Sequence, residues 1–392
     1  MTPPRAAYVH VPFCRHRCGY CDFAVLSGRD DLADRYFSAL AREFERLPAP
    51  LEVDTLYLGG GTPTHLGVPG LERLWRAFEG RVAPAAGAEV SVEANPADVT
   101  PQLCATARGL GVTRVSLGAQ SLSARTLAAL DRDHSPDDVR RAFGLLGAAG
   151  FDVNLDLMTA APGQTLAEVE ADLDAVAALR PGHLSVYSLT WERGTRFIGL
   201  LGRGLLDRCD EDLERAMTEA AIDRLGAAGY EHYEVSNFAL PGRRCRHNEV
   251  YWDCRPWEAF GPGAARFLGS TRTTNHRSPF TWMKRLSEGL DPAAERECMT
   301  TEEAARERIV LGLRRRDGIT RSGFRRATGI DFDDVAGGAL QGWVAAGLAV
   351  DDGERVCLSR EGLLVSDSLW APVLAGRGGR HPGGGRAPAA GG

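Results

Sequence analysis

The stretch Tyr8-Val-His-Val-Pro-Phe-Cys14-Arg-His-Arg-Cys18-Gly-Tyr-Cys21-Asp-Phe23 decides the reading of this chain. Cys14, Cys18 and Cys21 stand at C-x3-C-x2-C spacing, three thiols within eight residues. A structural zinc site closes with four ligands, usually in two separated pairs. A cubic iron–sulfur cluster takes four thiolates when its protein ligation is complete. Three thiolates leave one iron without a protein ligand, open to a small molecule. The competing reading is a zinc knuckle completed by His10, His16 or a distant cysteine.

The surroundings favour the cluster. Up to about residue 240, short β-rich runs alternate with amphipathic helical patterns. Strands are expected at Ala6–Val11, Thr55–Gly59, Glu89–Ala94, Arg114–Gly118, Val153–Met158 and His183–Ser188. Helix starts are written as Thr100-Pro101 and Ser135-Pro136-Asp137-Asp138, an N-cap followed by a first-turn proline. Six such βα units need a parallel sheet covered by helices. An open doubly wound sheet and a partial barrel both satisfy the pattern, and both bind ligands at the C-terminal ends of the strands. The cysteine loop follows the first strand and opens at that end. Gly59-Gly60-Gly61-Thr62-Pro63-Thr64 ends the second strand, and its backbone can approach a ligand closely. Glu93, Gln120 and Asp156 lie at or near the ends of later strands. Polar groups at those positions converge on one mouth.

Bulk composition excludes several classes. Apolar residues make up 44% of the 392 and charged residues 25%, as in ordinary globular chains. A net charge of −6 argues against nucleic acid as a partner. Lys284 is the only lysine, which leaves almost no candidate for a P-loop or a lysine Schiff base. No signal peptide and no apolar run long enough to span a bilayer are read, so a cytoplasmic protein is expected. Nine cysteines then serve as ligands or core residues rather than as staples. Cys104, Cys209, Cys298 and Cys357 are expected in the core. Residues 301–370 read as helices followed by a hairpin, Leu348–Val350 with Arg355–Leu358, which resembles a winged helix. Acidic residues outnumber arginines there, against a DNA-binding face.

Taken together, the cysteine run, Gly-Gly-Gly-Thr-Pro-Thr, Ser-Leu-Gly-Ala-Gln120-Ser and Asp156-Leu-Met-Thr-Ala-Ala-Pro-Gly-Gln-Thr resemble the radical S-adenosylmethionine (SAM) superfamily. Within it they are most similar to the coproporphyrinogen-dehydrogenase/HemW branch, from about Tyr8 to Leu369. The resemblance implies an α/β fold: a partial (β/α)6 TIM-type barrel with a C-terminal winged-helix-like α+β domain. It implies a [4Fe-4S] cluster on Cys14, Cys18 and Cys21, with SAM cleaved reductively to a 5′-deoxyadenosyl radical. Tyr8 and Tyr20 would contact the nucleoside methionine, and Gly60, Gly61 and Thr62 its methionine end. Glu93, Gln120, Arg132 and Asp156 would complete the SAM site. Thr159-Ala160-Ala161 departs from the Tyr-Gly or Phe-Gly common in the family.

The branch offers two functions of different class. One is oxygen-independent coproporphyrinogen III dehydrogenase, which decarboxylates propionates by radical chemistry. The other is a haem chaperone that delivers haem to acceptor proteins. Three features favour the chaperone. Phe23 stands where the dehydrogenases carry a fourth cysteine, only seven residues precede Tyr8, and Arg246-His247-Asn248-Glu249-Val250-Tyr251-Trp252 matches a His-Asn-x-x-Tyr-Trp haem motif of the branch. His247, Asn248, Tyr251 and Trp252 are thus haem candidates, with His247 alternatively an ordinary loop histidine bonded to backbone. Cys245 and Cys254 flank the motif and read as buried thiols. Ala265 stands where many relatives have a histidine. A third reading is a radical enzyme acting on another tetrapyrrole. The expected organisation is a barrel at 1–240, a connecting region at 241–299, a winged-helix-like domain at 300–372 and a disordered tail at 373–392. Expected partners are haem as cargo, haem acceptors (membrane-bound respiratory components among them), an electron donor for the cluster, and a second copy of the chain in a homodimer.

Overall fold

The computed structural model describes residues 3–375. Six parallel strands form as the pattern dictates: β1 (Ala6–Val11), β2 (Leu51–Gly60), β3 (Val82–Ala94), β4 (Arg114–Gln120), β5 (Asp152–Thr159) and β6 (His183–Ser188). They lie in chain order in one sheet. Two short antiparallel strands, β7 (Glu231–His232) and β8 (Asn237–Ala239), continue it beyond β6. At the other edge β9 (Glu258–Phe260) pairs in parallel with β1. Residues 241–299 therefore do more than connect: they supply an edge strand of the main sheet. A run of three residues is too short for periodicity to declare it a strand. It is held by the register Ala7↔Glu258, Tyr8↔Ala259 and Val9↔Phe260.

Alternation along each strand sets two environments. Ala7, Val9 and Val11, Leu56 and Leu58, Val90 and Val92, Val115 and Leu117, and Val153, Leu155 and Leu157 all enter one apolar core under the covering helices. The intervening residues are polar: Ser91 and Glu93, Arg114 and Ser116, Asn154 and Asp156, His183 and Ser185. Side chains from β2 to β6 meet in one interior space of only ≈10 Å³. The sheet is thus curled around a filled polar interior, as the partial barrel requires.

A three-stranded antiparallel sheet follows, made of β10 (Ala265–Leu268), β11 (Thr271–Asn275) and β12 (Ala293–Cys298). The remaining chain builds its own apolar core around Ile309, Phe324, Phe332, Leu340, Trp343 and Val356. There a helix at Thr301–Leu313 begins with a capping box on Thr300 and Glu303. Helices at Arg321–Thr328 and Phe332–Ala345 follow, then a hairpin of Ala349–Asp351 with Arg355–Leu358, joined by Ile319–Thr320. The expected tail begins too early. Val373 is fully buried in a helix at Ala371–Leu374, because its side chain completes this second core. Residues 376–392, the bulk of that tail, lie outside the described residues. Cys298 is exposed rather than in the core, since it sits on the outer strand of the antiparallel sheet. Among the described residues no helix is long and apolar enough to cross a membrane.

Candidate functional site

At the C-terminal ends of the strands lies a cavity of ≈330 Å³, the size range of small-ligand sites. The cysteine loop forms one wall, with Cys14, Cys18, Cys21 and Tyr20 all lining the space. Gly60, Gly61 and Thr62 line it from the end of β2, and Glu93, Gln120 and Asp156 from β3, β4 and β5. Arg132, from the loop after the short helix at Ala124–Ala129, closes another side. Eleven of the twelve residues expected at the cluster and SAM thus share one cavity. Tyr8 does not line it: its side chain points inward one strand repeat below, stacks on Tyr57 at 6.2 Å, and hydrogen-bonds through its hydroxyl to His10 Nδ1 at 3.1 Å.

Local structure explains these placements. The loop returns on itself through Cys21 N donating to Cys18 O at 3.1 Å, and His10 Nε2 bonds Ala24 O at 3.0 Å. Gly61 N and Thr62 N donate to Val11 O and Phe13 O at 2.8 and 2.7 Å, which stitches the glycine run beneath the loop. A Cβ on Gly61 would fall 2.7 Å from Phe13 O, and one on Gly60, where φ is +107°, 2.3 Å from His10 Nδ1. Glycine is required there by close approach and by backbone conformation. Gly19 is required too, since a Cβ would meet the Phe197 ring at 2.2 Å. Thr62 Oγ1 lies 3.6 Å from Cys14 Sγ, and Arg132 Nη1 donates to Cys18 Sγ at 3.3 Å.

The electrostatics ask for a cation and an anion. Glu93 accepts from Gly60 N at 2.9 Å, and burial together with the nearby Asp156 raises its carboxyl to about 8. Burial raises Asp156 too, although Ser116 Oγ and Asn154 Nδ2 donate to it at 2.9 and 2.6 Å. Arg132 is partly buried, and its buried Nε is unpartnered. A ligand bearing a sulfonium, an ammonium and a carboxylate would satisfy both kinds of group. The donor set also fits an open-cornered cluster. Among the described residues no three His, Cys, Asp or Glu side chains converge to hold a single metal ion. A cube does not need that, because each thiolate binds a different iron.

The haem candidates lie elsewhere. His247, Asn248, Tyr251 and Trp252 sit on a helix at Arg246–Trp252, packed against the N-terminal ends of the strands. Glu89 receives Arg246 N and His247 N at 3.1 and 3.0 Å, neutralising the helix start. His247 is 1% exposed; its Nδ1 bonds Thr55 Oγ1 at 2.9 Å and its Nε2 bonds the Tyr251 hydroxyl at 2.8 Å. Burial lowers its imidazole to about 3. The expected axial haem ligand is not presented in this arrangement, because both ring nitrogens are taken and the ring is stacked on Tyr57. Cys245 is buried beside Glu89, and Cys254 is partly buried, so neither replaces it.

With this geometry established, the relatives are informative. Residues 8–176 match the Radical SAM superfamily and residues 299–365 the HemN C-terminal domain. Heme chaperone HemW of Mycobacterium tuberculosis is 38% identical over 380 residues, 95% of each chain. The chain belongs to the HemW family. HemW of Bacillus subtilis is 32% identical over 94% of this chain and 99% of its own. The solved coproporphyrinogen III oxidase HemN of Escherichia coli, a radical SAM enzyme, superposes with a TM-score of 0.83 over 95% of this chain and 90% of its own. At 21% identity that likeness carries the fold alone. As radical SAM proteins, HemW-family chains imply a [4Fe-4S] cluster and SAM.

Residues that the motifs did not single out also line the cavity: Asn95, Asp98, Ser116, Asp133, Met158 and Tyr187. Ser116 and Tyr187 were legible as inward positions that continue the alternations Arg114, Ser116 and His183, Ser185, Tyr187. Asn95 and Asp133 lie on loops and Asp98 in a single 3-10 turn at Pro96–Asp98, where periodicity carries no signal.

Proposed function

We propose that this chain is a haem chaperone that binds a [4Fe-4S] cluster and SAM and passes haem to acceptor proteins. The observation that carries this is end-to-end identity with HemW proteins, 38% over 95% of both chains. Cys14, Cys18 and Cys21 would hold the cluster; Glu93, Asp156, Gln120 and Arg132 would bind SAM, with Tyr20, Gly60, Gly61 and Thr62 shaping its pocket. Bound there, the cluster would supply the electron for SAM cleavage. The protein's part is to align the ligand, offer opposite charges and exclude water.

Haem contact through His247 would require the helix at Arg246–Trp252 to leave its seat, exchanging the Thr55 and Tyr251 hydrogen bonds for a metal bond. The acceptor, the electron donor and a homodimer remain part of the proposal, as do cytoplasmic location and the organisation into barrel, connecting region and C-terminal domain. The test is direct. Anaerobically reconstituted protein should bind about one haem per chain and, with SAM and reductant, leave coproporphyrinogen III unchanged on chromatography. Formation of protoporphyrinogen would show the dehydrogenase instead.

A further inference from the structure

β4 does not end as a regular strand. Its pairing with β5 shifts between Leu117 and Gln120, and Gln120 takes the left-handed backbone conformation with φ +63°. Such a conformation is unfavourable for a residue with a Cβ and persists only where surrounding contacts enforce it. Here the contacts come from both sides. Arg132, which lines the cavity, donates through Nη2 to Gly118 O at 3.2 Å, and the buried His134 bonds Ala119 O through Nε2 at 2.9 Å.

On the opposite side stands Asp172, on the helix at Leu166–Leu179. It is buried and does not line the cavity. Its carboxylate receives the Ser121 hydroxyl through Oδ2 and Leu122 N at 2.9 Å through Oδ1. Ser121, fully buried, in turn accepts from Ser123 N at 3.0 Å. The two residues after Gln120 are thereby clamped to a helix outside the sheet. With Ser121 and Leu122 so held, the backbone at Gln120 is fixed from its C-terminal side, and Gln120 lines the cavity.

We infer that Asp172 is a positioning residue: by fixing Ser121 and Leu122 it holds Gln120 in the conformation that presents its side chain to SAM. The inference rests on the SAM reading of the cavity. An acidic side chain suits the task because one carboxylate accepts from a hydroxyl and a backbone N–H at once.

The test is a double-mutant cycle read by equilibrium dialysis of SAM against cluster-reconstituted protein, with iron content measured in parallel. Gln120→Ala and Asp172→Ala should each weaken SAM binding about tenfold, the scale of one lost polar contact, with iron content unchanged. The double variant should bind no worse than Gln120→Ala alone. Asp172→Asn keeps an acceptor for Leu122 N and should recover most of the affinity. Unchanged SAM binding by Asp172→Ala would overturn the inference, as would losses that multiply in the double variant. Should Asp172→Ala not fold, Ser121→Ala, which removes one arm of the clamp, is read by the same criteria. Wild-type protein that binds no SAM at all would instead defeat the reading of the cavity itself, and the inference with it.

Discussion

Glu93 shows how much one side chain's surroundings change its chemistry. It is a carboxyl in the barrel interior, bonded to Gly60 N and set near Asp156, with its pKa raised to about 8. At neutral pH it is therefore largely protonated, and a cationic ligand favours its ionised form. SAM binding to this site should then release a proton. Affinity should rise with pH up to about 8 and level off above, and Glu93→Gln should flatten the profile. Calorimetric titration in buffers of different ionisation enthalpy measures the proton count. A wild-type affinity independent of pH between 6 and 9 would argue against Glu93 facing the ligand's charge. The identity of Glu93 as a site residue was legible, because an acid at the end of a parallel strand is unusual in an otherwise apolar run. Its protonation was not, because that depends on burial and on Asp156, which lies 63 residues away in sequence.

At the scale of elements, the helix at Arg246–Trp252 is where motif and structure part. The His-Asn-x-x-Tyr-Trp pattern invited a haem ligand, and four-residue helical spacing does put His247 and Tyr251 on one face. That face is turned into the barrel floor, where Thr55, Tyr57 and Glu89 receive it. Removing the imidazole leaves two partners unsatisfied and a cavity. His247→Ala should cost about 2–4 kcal/mol in the haem-free protein. Urea unfolding of that protein is the measurement. A residue serving only as a haem ligand would leave haem-free stability unchanged, so an unaltered midpoint would remove the structural role. The short strand β9 makes the same point. Nothing in Glu258–Phe260 announces a sheet edge, yet Glu43, on the helix at Ala33–Glu45, accepts from Gly261 N at 2.7 Å and Asn275 Nδ2 at 2.6 Å to fix the turn after it.

Over the whole molecule, buried titratable groups of both kinds set the pH range of stability. Burial raises the folded carboxyls of Glu43 and Glu234 to about 7 and of Glu93 to about 8, from an ordinary 4.5. Their contribution is fully present below 4.5 and is lost as pH rises from there through 7 and 8. Burial also lowers His10, His134 and His232 to about 4 and His247 to about 3, from 6.5. Their contribution is present above 6.5 and is lost as pH falls toward 4. Between 4.5 and 6.5 the two trends oppose, with four histidines outweighing three carboxyls, and above 6.5 only the carboxyl loss remains, so the cluster-free chain should be most stable near pH 6.5 and weaker on both sides. A pH series of thermal midpoints checks this; a midpoint that climbs steadily to pH 9 would contradict it. The same scale joins the two cores. Arg308, on the helix at Thr301–Leu313, donates to Asp253 O and Cys254 O at 2.8 and 3.3 Å, and Arg316 N to Tyr233 O at 3.0 Å. The C-terminal unit is thus bonded to the end of the floor helix rather than hung on a linker.

The sequence by itself determined the six parallel strands, the cysteine loop at their open end and most residues of the cavity. Those features are local: period-two alternation, caps and glycine runs follow from the chemistry of neighbouring residues. Only the tertiary structure decided that Tyr8 lies below the cavity, that His247 faces the barrel floor, that β9 extends the sheet and that Asp172 stands behind Gln120. Each of these depends on groups distant in sequence meeting in a dry interior, where a polar side chain must find a partner and takes whichever the fold brings within reach.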